Sequence, residues 1–526
     1  MIGAGHNGLT CGCYLAMAGL RVLVLEEYYA IGGMTITEEI TLPGFKSDIH
    51  AFGYQLANTS PVPKELGLDR FGFELICPEI SFSHIFPDGK YISMYRSLEK
   101  TIKSIARFSI KDGQTWRTLF NKYLVDREKI ISSINSPPTE LEIFSAEGYR
   151  KQLQSMRSWC DENFESDEAK VLFGTSATFV GLSPDDAGGG QLCHLFATIA
   201  QDKGNNVVRG GFVNLPVALA RFIESKGGAI LTNASVIKII IENDRAIGVC
   251  LANGKHISSK RLVASSTDPS TLILKLIGEE YVDSTIIKNI KRIEWGDSVF
   301  GIYLALNGNP KYKSDQEVGN SSQIHISPAS LESFSRTSYE SRSGIIPSDP
   351  PCILSNDSII DPSRVPSPSS GMNRQLIKIL IPTVPYDIKK FGTNYKDYNS
   401  NPVKIKWSDI KEWYANQIID NITHSYILNL KDIVIKKVSY SPIDYERRPT
   451  TCIRGTLSCG AVFPYQSGSM RPTPQLGNYK IPTLGNVYLC GSANYPGPGV
   501  SMASGRNAAQ VILRDLGIDF RNMMMS

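Results

Sequence analysis

The sequence lacks the marks of several protein classes. Its ten cysteines stand singly; Cys11 and Cys13 come closest, and no C-x-x-C or C-x-x-x-x-C pair occurs. That argues against a zinc site and against a redox disulfide beside a cofactor. It fits a reducing, cytoplasmic compartment. No apolar run approaches the roughly 18 residues that a membrane-spanning helix needs. Charge is nearly balanced, with 55 Lys and Arg against 51 Asp and Glu and a net charge of +4. Such a balance carries no electrostatic footprint for nucleic acid, and no RNA-binding signature supports one. No secretory signal stands at the start, because residues 1–25 are taken up by the motif described next. No internal repeat is found. With 526 residues and 42% apolar content, the chain has material for two or three domains.

What is present is concentrated at the two ends. Residues Gly3-Ala4-Gly5-His6-Asn7-Gly8 form a G-x-G-x-x-G turn, followed by an apolar helix and the strand Arg21-Val22-Leu23-Val24-Leu25-Glu26. Each glycine has a reason. Gly3 allows the tight turn, Gly5 lets the backbone approach a pyrophosphate, and Gly8 lets helix and strand pack closely. The helix N-terminus offers free N–H groups and partial positive charge to phosphate. Glu26 ends the strand 18 residues after Gly8, where its carboxylate can accept hydrogen bonds from ribose hydroxyls. Helix, strand and carboxylate together make a dinucleotide site out of a turn that alone is weak evidence. One part is short: only Met1-Ile2 precedes Gly3, where a central strand usually runs about 5–6 residues. The expectation is a truncated or misassigned start, which leaves room for a targeting segment upstream.

Along the chain, a helix is expected over 7–20, stopped by Gly19. Glu27 follows Glu26, and a second glycine turn, Gly32-Gly33-Met34, precedes a strand pair leading to Asp48 and His50. Residues 62–175 read as mainly helical. Leu98, Ile102 and Ile105 share a face ringed by Lys100, Lys103, Arg107 and Lys111. Either that face is simply solvated or it rests peripherally on anionic lipid. Nucleotide-domain character returns at Arg209-Gly210-Gly211, with a helix over 215–226 and strands at 229–231, 234–241, 246–251 and 262–265. Asn243-Asp244 is a hairpin turn. The stretch 318–371 is rich in Ser, Pro and Asn, but the apolar strands 352–355 and 376–381 argue for a sheet with long loops. The strand 486–491, a Pro-Gly loop and a helix over 501–516 close the chain. They repeat the opening logic, strand then glycine loop then helix N-terminus, and suit the negative charge of a reduced flavin ring.

With both ends in view, the chain resembles the phytoene desaturase-like FAD oxidoreductases, the carotenoid/retinoid oxidoreductase family. The branch it resembles most is that of the pyridine-nucleotide-disulfide-oxidoreductase-domain proteins related to phytoene dehydrogenase. The stretches that carry the likeness are IGAGHNGLTCGCYLAMAGLRVLVLEE, GGMTITEEITLPGFKSD, RGGFVNLPVALARFIESKGGAILTNASVIKIII, SSTDPS and VYLCGSANYPGPGVSMASGRNAAQVILRDLG. The resemblance implies an α/β fold: a Rossmann-like FAD-binding domain of glutathione-reductase/amine-oxidase type with an interleaved α+β substrate domain. The first would take residues 1–60, 205–280 and 480–526, the second residues 61–204 and 281–479 with a helical part. By the same resemblance Gly3, Ala4, Gly5, His6, Asn7 and Gly8 would hold the FAD pyrophosphate, and Glu26 and Glu27 the adenosine ribose. Gly32, Gly33 and Met34 would pack beneath the phosphates, and Val236 would present backbone to adenine. Gly491 would approach the ribityl phosphate, with Gly499, Val500 and Ser501 at the pyrimidine edge. Met34 stands where many relatives have arginine, which removes one phosphate contact.

Plainer readings accompany several of these residues. Val236 is a core strand residue, Gly210-Gly211 breaks the chain before a helix, and His6 shapes its turn. A lone His50 near the flavin is more often structural than catalytic. Tyr54, Tyr465 and Tyr495 either line a substrate pocket or belong to the core. No catalytic side chain is assigned. No second G-x-G-x-x-G follows a strand, so no separate NAD(P)H domain is evident. The resemblance implies that an apolar polyene, isoprenoid or other lipid-like small molecule reduces FAD, and that a quinone or oxygen reoxidises it. The alternatives are redox-neutral polyene isomerisation, amine or fatty-substrate oxidation, and an FAD-holding interaction protein.

Overall fold

The opening motif folds at the middle of a parallel sheet. In the computed structural model, which describes residues 1–138, 146–367, 373–392, 405–448 and 452–525, Ile2 bridges Leu25 on one side and Ser265 on the other. Leu23–Leu25 pairs onward with Ala229–Leu231, and Val263–Ser265 with Val487–Leu489, all parallel. The spatial order is therefore 229–231, 23–25, Ile2, 263–265, 487–489. Short as it is, the central segment is bonded on both edges. Ile2 N–H donates to Ala264 O (2.8 Å) and Gly3 N–H to Leu25 O (2.8 Å), while Ile2 O accepts from Ser266 N–H (2.9 Å).

Helices and a meander cover the two faces. The helix His6–Met17 packs between Asn214–Ser225 and Ala503–Asp515. Leu9, Cys13, Leu219, Ile223, Ala508 and Ile512 bury their side chains in that layer. Gly19, at φ +82°, ends the first helix as expected of a left-handed glycine stop. On the other face lies an antiparallel meander, Val236–Glu242, Arg245–Leu251 and His256–Ser258. Asn243 and Asp244 both take positive φ in its first turn, as a two-residue hairpin of that kind requires.

The second part is built on a mixed sheet. Among the described residues its order is Val434–Tyr440, Ser298–Asn307, Arg374–Val384, Cys352–Ser355, Ser321–Ile326, Ile80–Ile85, Tyr91–Tyr95. Only the Ser321–Ile326/Ile80–Ile85 pair is parallel. Residues 62–175 are mainly helical, as expected, but two of these strands interrupt them. Ile80–Ile85 and Tyr91–Tyr95 form a hairpin around Pro87-Asp88-Gly89, with Gly89 at φ +86°. Its pairing to residue 321 and beyond supplies the stability that no local pattern advertises. The Ser/Pro/Asn-rich stretch is folded where described, carrying Ser321–Ile326, the helix Leu331–Arg342 and Cys352–Ser355; its residues 368–371 lie outside the described residues. The helix Trp407–Ser425 covers one face of the sheet, with Trp407 and Tyr414 packed on Phe300 at 5.4 and 5.1 Å between ring centroids. The basic face near residue 105 is partly spent within the chain: Lys100 pairs with Glu79 and Lys111 with Glu165, each at 3.0 Å.

A buried ion cluster ties the two parts together. Arg364, fully buried, lies 2.8 Å from Asp48 and 3.3 Å from Asp361. Asp48 accepts a hydrogen bond from Phe212 N–H (2.9 Å), and Asp361 one from Gly210 N–H (2.6 Å). Arg364 also donates to Val208 O (3.2 Å). Thus the hairpin that follows the second glycine turn is clamped to the turn that carries Asp361 and Arg364 in the second part and to the loop of Gly210-Gly211.

Candidate functional site

The glycine turn is shaped by what surrounds it. A Cβ on Gly3 would lie 2.5 Å from Ser266 Oγ, and one on Gly8 would lie 2.5 Å from Gly3 O. Neither position tolerates a side chain. Gly5 differs: a Cβ there would meet nothing within 4 Å. The protein leaves that space open, which is where a pyrophosphate approaches. Behind it the helix His6–Met17 starts with no side-chain cap and no acidic residue in its first turn. Its N–H groups thus face the opening without a competing anion. The second turn packs against the first, with Gly32 N–H donating to Ala4 O (3.0 Å) and the Cβ position of Gly33 lying 3.3 Å from Gly5 Cα.

A cleft of about 950 Å³, partly open to solvent, runs past this turn. Gly3, Gly5, His6, Asn7, Glu26, Glu27, Gly33, Met34, Val236 and Gly491 are in its wall. Glu26 is buried and accepts from Ala4 N–H (2.7 Å) and Tyr28 N–H (3.0 Å). Burial pushes its carboxyl above the usual range, against the pull of those two N–H groups. Each carboxylate oxygen retains a second lone pair for a ribose hydroxyl. Three further wall residues, Ser266, Thr267 and Asp268, have no role in the reading of the sequence. The signal that marks them is small polar residues directly after a parallel strand, at the carboxyl edge where such sheets bind ligands.

The cleft continues into a second cavity of similar size, because His6, Met34 and Ser492 belong to both walls. This one is lined by Phe52, Leu56, Val180, Phe196, Leu380 and Leu457, together with Pro498, Gly499 and Val500 of the last loop. Asn7 joins the two ends of the chain here. Its Nδ2 donates to Ser492 Oγ (2.8 Å) and its Oδ1 accepts from Gly505 N–H (3.3 Å). Met34 lies with its sulfur 3.6 Å from Cys459 Sγ. Ala4, Gly8, Gly32 and Ser501 stand behind the walls; Ser501 Oγ accepts from Ala503 N–H (3.3 Å) at the start of the last helix. The tyrosines considered for a pocket are in neither wall. Tyr54 packs on Phe73 and Phe212, Tyr495 donates to Ser133 O, and Tyr465 is exposed and donates to Glu294. Spacing along the chain offers no means of telling wall from core for such residues.

Two histidines in these walls are neutral. Burial pushes His50 down to about 3, helped by the charges of Arg448 and Lys378, and pushes His6 down to about 4. An unfolded histidine takes its proton near 6.5. The unfolded chain therefore binds more protons, so this part of the stability is complete above pH 6.5 and is lost as pH falls toward 3–4. Each such group contributes a slope of up to about 1.4 kcal/mol per pH unit in that window. Urea midpoints measured from pH 7 to pH 4 should fall steadily, and His50→Gln should flatten the curve. An equally steep curve in the variant would assign the acid sensitivity elsewhere.

The open space at Gly5, the uncapped helix and the buried carboxylate fit a flavin dinucleotide. The family model for flavin-containing amine oxidoreductases matches residues 8–345. The chain belongs to that family. As a member it is an FAD-dependent oxidoreductase, which bears out the expected cofactor, fold class and enzyme type. It is similar to a limonene dehydrogenase component of Castellaniella defragrans, 27% identical over 550 residues that cover 99% of this chain and 95% of that one. It is also similar to pyridine nucleotide-disulfide oxidoreductase domain-containing protein 2 of Mus musculus, 28% identical over 569 residues with 98% and 93% covered. Phytoene desaturase of Fusarium fujikuroi is 24% identical over 569 residues, with 99% and 90% covered. Among the described residues, no helix is long and apolar enough to cross a membrane and no cluster of side chains could hold a metal ion.

Glu26 gives this oxidoreductase a direct test. Glu26→Ala removes the acceptor for Ala4 N–H inside the glycine turn and the carboxylate in the cleft wall that is expected to meet the ribose. Losing charge-assisted hydrogen bonds of about 1.5–3 kcal/mol should weaken FAD binding roughly 10- to 100-fold. Titration of apoprotein with FAD, followed by flavin fluorescence quenching, measures it; unchanged affinity would remove Glu26 from the site.

Proposed function

We propose that this oxidoreductase dehydrogenates an uncharged, lipid-like substrate, an isoprenoid or a molecule of similar polarity, held in the second cavity. FAD, when bound, accepts the hydride. The observation that carries the reading is the cavity wall, which among the described residues contains no Asp, Glu, Lys or Arg. A protonated amine would find no carboxylate there, and burying it unpaired is costly. The relatives named for limonene and phytoene point the same way, since both molecules are uncharged hydrocarbons.

In this reading the chain's own residues bind and orient. N–H groups at the start of the first helix meet the pyrophosphate, with no arginine at position 34 to assist. Glu26 and Glu27 face the ribose, Val236 the adenine, and Gly491 the ribityl phosphate. Gly499 and Val500 border the ring's pyrimidine edge, braced by Ser501 and the last helix. Phe52, Leu56, Phe196 and Leu380 exclude water from the reacting carbon. Reoxidation is assigned to a quinone or oxygen, since the sequence carries no second dinucleotide motif. Lipid docking through residues 98–111 is not part of the proposal, because Lys100 and Lys111 are already paired.

The test is spectroscopic. Holoprotein is mixed anaerobically with limonene, a linear polyene and an aliphatic amine, and the oxidised flavin band near about 450 nm is followed. Bleaching by a hydrocarbon supports the proposal. Bleaching by the amine alone would replace it with amine oxidation, and product without net bleaching would replace it with isomerisation.

A further inference from the structure

The second cavity is apolar, but it is not without hydrogen-bonding groups, and most of them are already committed. Gln55 donates to Phe196 O (2.6 Å). Ser492 accepts from Asn7, whose amide also lies 3.1 Å from His6 Nε2. His50 is different. It forms part of the wall and is 3% exposed, and neither ring nitrogen has a hydrogen-bond partner among the described residues. A buried polar group left unmatched costs a few kcal/mol, so folded proteins rarely keep one without a use for it.

The surroundings define what would match it. Lys378 is buried behind the wall. Its ammonium lies 3.6 Å from the centroid of the Phe52 ring and donates to Ala51 O. Arg448, paired with Glu38, adds its charge on the same group. Among the described residues, no carboxylate faces His50 from the cavity. The imidazole is thus neutral, able to donate from one nitrogen and accept at the other, in a field that disfavours cations and favours electron-rich oxygen.

From this geometry we infer that His50 is the anchor for a single uncharged oxygen, a hydroxyl or carbonyl, carried by an otherwise apolar substrate. The inference rests on the proposed use of the second cavity and narrows its substrate class from uncharged lipid-like molecules to those that carry one oxygen. It makes His50 a specificity-determining residue, with Gln323 a further polar side chain in the same wall.

The experiment uses FAD-loaded protein and three probes of one chain length: octane, octan-1-ol and octylammonium. Affinities are read by calorimetry and by perturbation of the flavin spectrum, with no turnover required. In the wild type octan-1-ol should bind more tightly than octylammonium. In His50→Phe the octan-1-ol to octane affinity ratio should fall about tenfold, the range of one neutral hydrogen bond, while octane binding is retained. His50→Gln, which keeps a donor and an acceptor, should restore most of the ratio. A ratio unchanged in His50→Phe, or alcohol and alkane weakened equally, would overturn the inference and leave the apolar-substrate proposal standing. If His50→Phe does not fold, His50→Gln with the wild-type probes still decides, because octylammonium matching octan-1-ol overturns it as well. Failure of both octane and octan-1-ol to bind the wild type would remove this inference and the proposed function together.

Discussion

Gly505→Ala is expected to cost the protein its flavin. In an exposed helix interior, replacing glycine by alanine stabilises by about 1 kcal/mol. Here the sign reverses. The added Cβ would sit 2.1 Å from the backbone oxygen of Asn7, with Asn7 C at 2.9 Å. Backbone cannot swing aside as a side chain tip does. Relief requires the helices His6–Met17 and Ala503–Asp515 to move apart by about an ångström or more, the scale on which overpacking costs about 1–3 kcal/mol. That movement also strains the Gly505 N–H to Asn7 Oδ1 bond and the Asn7 to Ser492 bond. Both hold the last loop against the first turn. The expected result is a loss of about 3 kcal/mol in stability and protein that desalts colourless. Unfolding in urea and the flavin absorbance retained after gel filtration measure the two effects. Full flavin content with an unchanged midpoint would show that the close helix contact is dispensable.

Arg364→Met should be as damaging by a different route. The guanidinium sits between Asp48 and Asp361. Burial works against its charge, and the carboxylates of Asp48 and Asp357 more than offset that. Methionine fills much of the volume but takes the guanidinium away from buried carboxylates, leaving Lys378 as the cation that still acts on Asp48 and Asp357. Breaking one side of a buried pair costs about 3–5 kcal/mol, more than the intact pair contributes over a hydrophobic replacement. The double variant Asp48→Asn/Arg364→Met should therefore regain part of the loss. Because Asp48 follows the second glycine turn and Arg364 belongs to the second part of the fold, FAD affinity should fall along with the urea midpoint. A double variant no better than Arg364→Met alone would mean that packing, and not charge, sets the cost.

These two positions mark how far the sequence can be read. The glycine turn, Glu26, Gly32-Gly33 and the closing strand-loop-helix are legible because their chemistry is local: spacing along the chain fixes spacing in space. Even the hairpin at Asn243-Asp244 announces itself through its turn residues. The contact of Gly505 with Asn7 crosses nearly the whole chain, and the pairing of Asp48 with Arg364 crosses most of it. No period or motif carries such a contact. The strands Ile80–Ile85 and Tyr91–Tyr95 escape a local reading for the same reason, since their partner Ser321–Ile326 lies far downstream. Ser266, Thr267 and Asp268 are visible as part of a familiar stretch, yet their place in the cleft wall depends on how the sheet is ordered. His50 reads as structural in the sequence; what changes its standing is the want of a hydrogen-bond partner for its ring nitrogens among the described residues, which only the fold reveals.

The bridge made by Asn7 has a consequence for how the protein is born. One side of the cleft, at Asn7, is translated nearly five hundred residues before the other, Ser492 to Gly505. At synthesis rates of about 5–20 residues per second, the opening turn waits roughly half a minute to a minute and a half for its counterpart. Throughout that time the apolar layer on the first helix, Leu9 and Cys13 among it, lacks the terminal helix that covers it. A ligand that touches both loops is therefore enclosed only after Gly505 has been made.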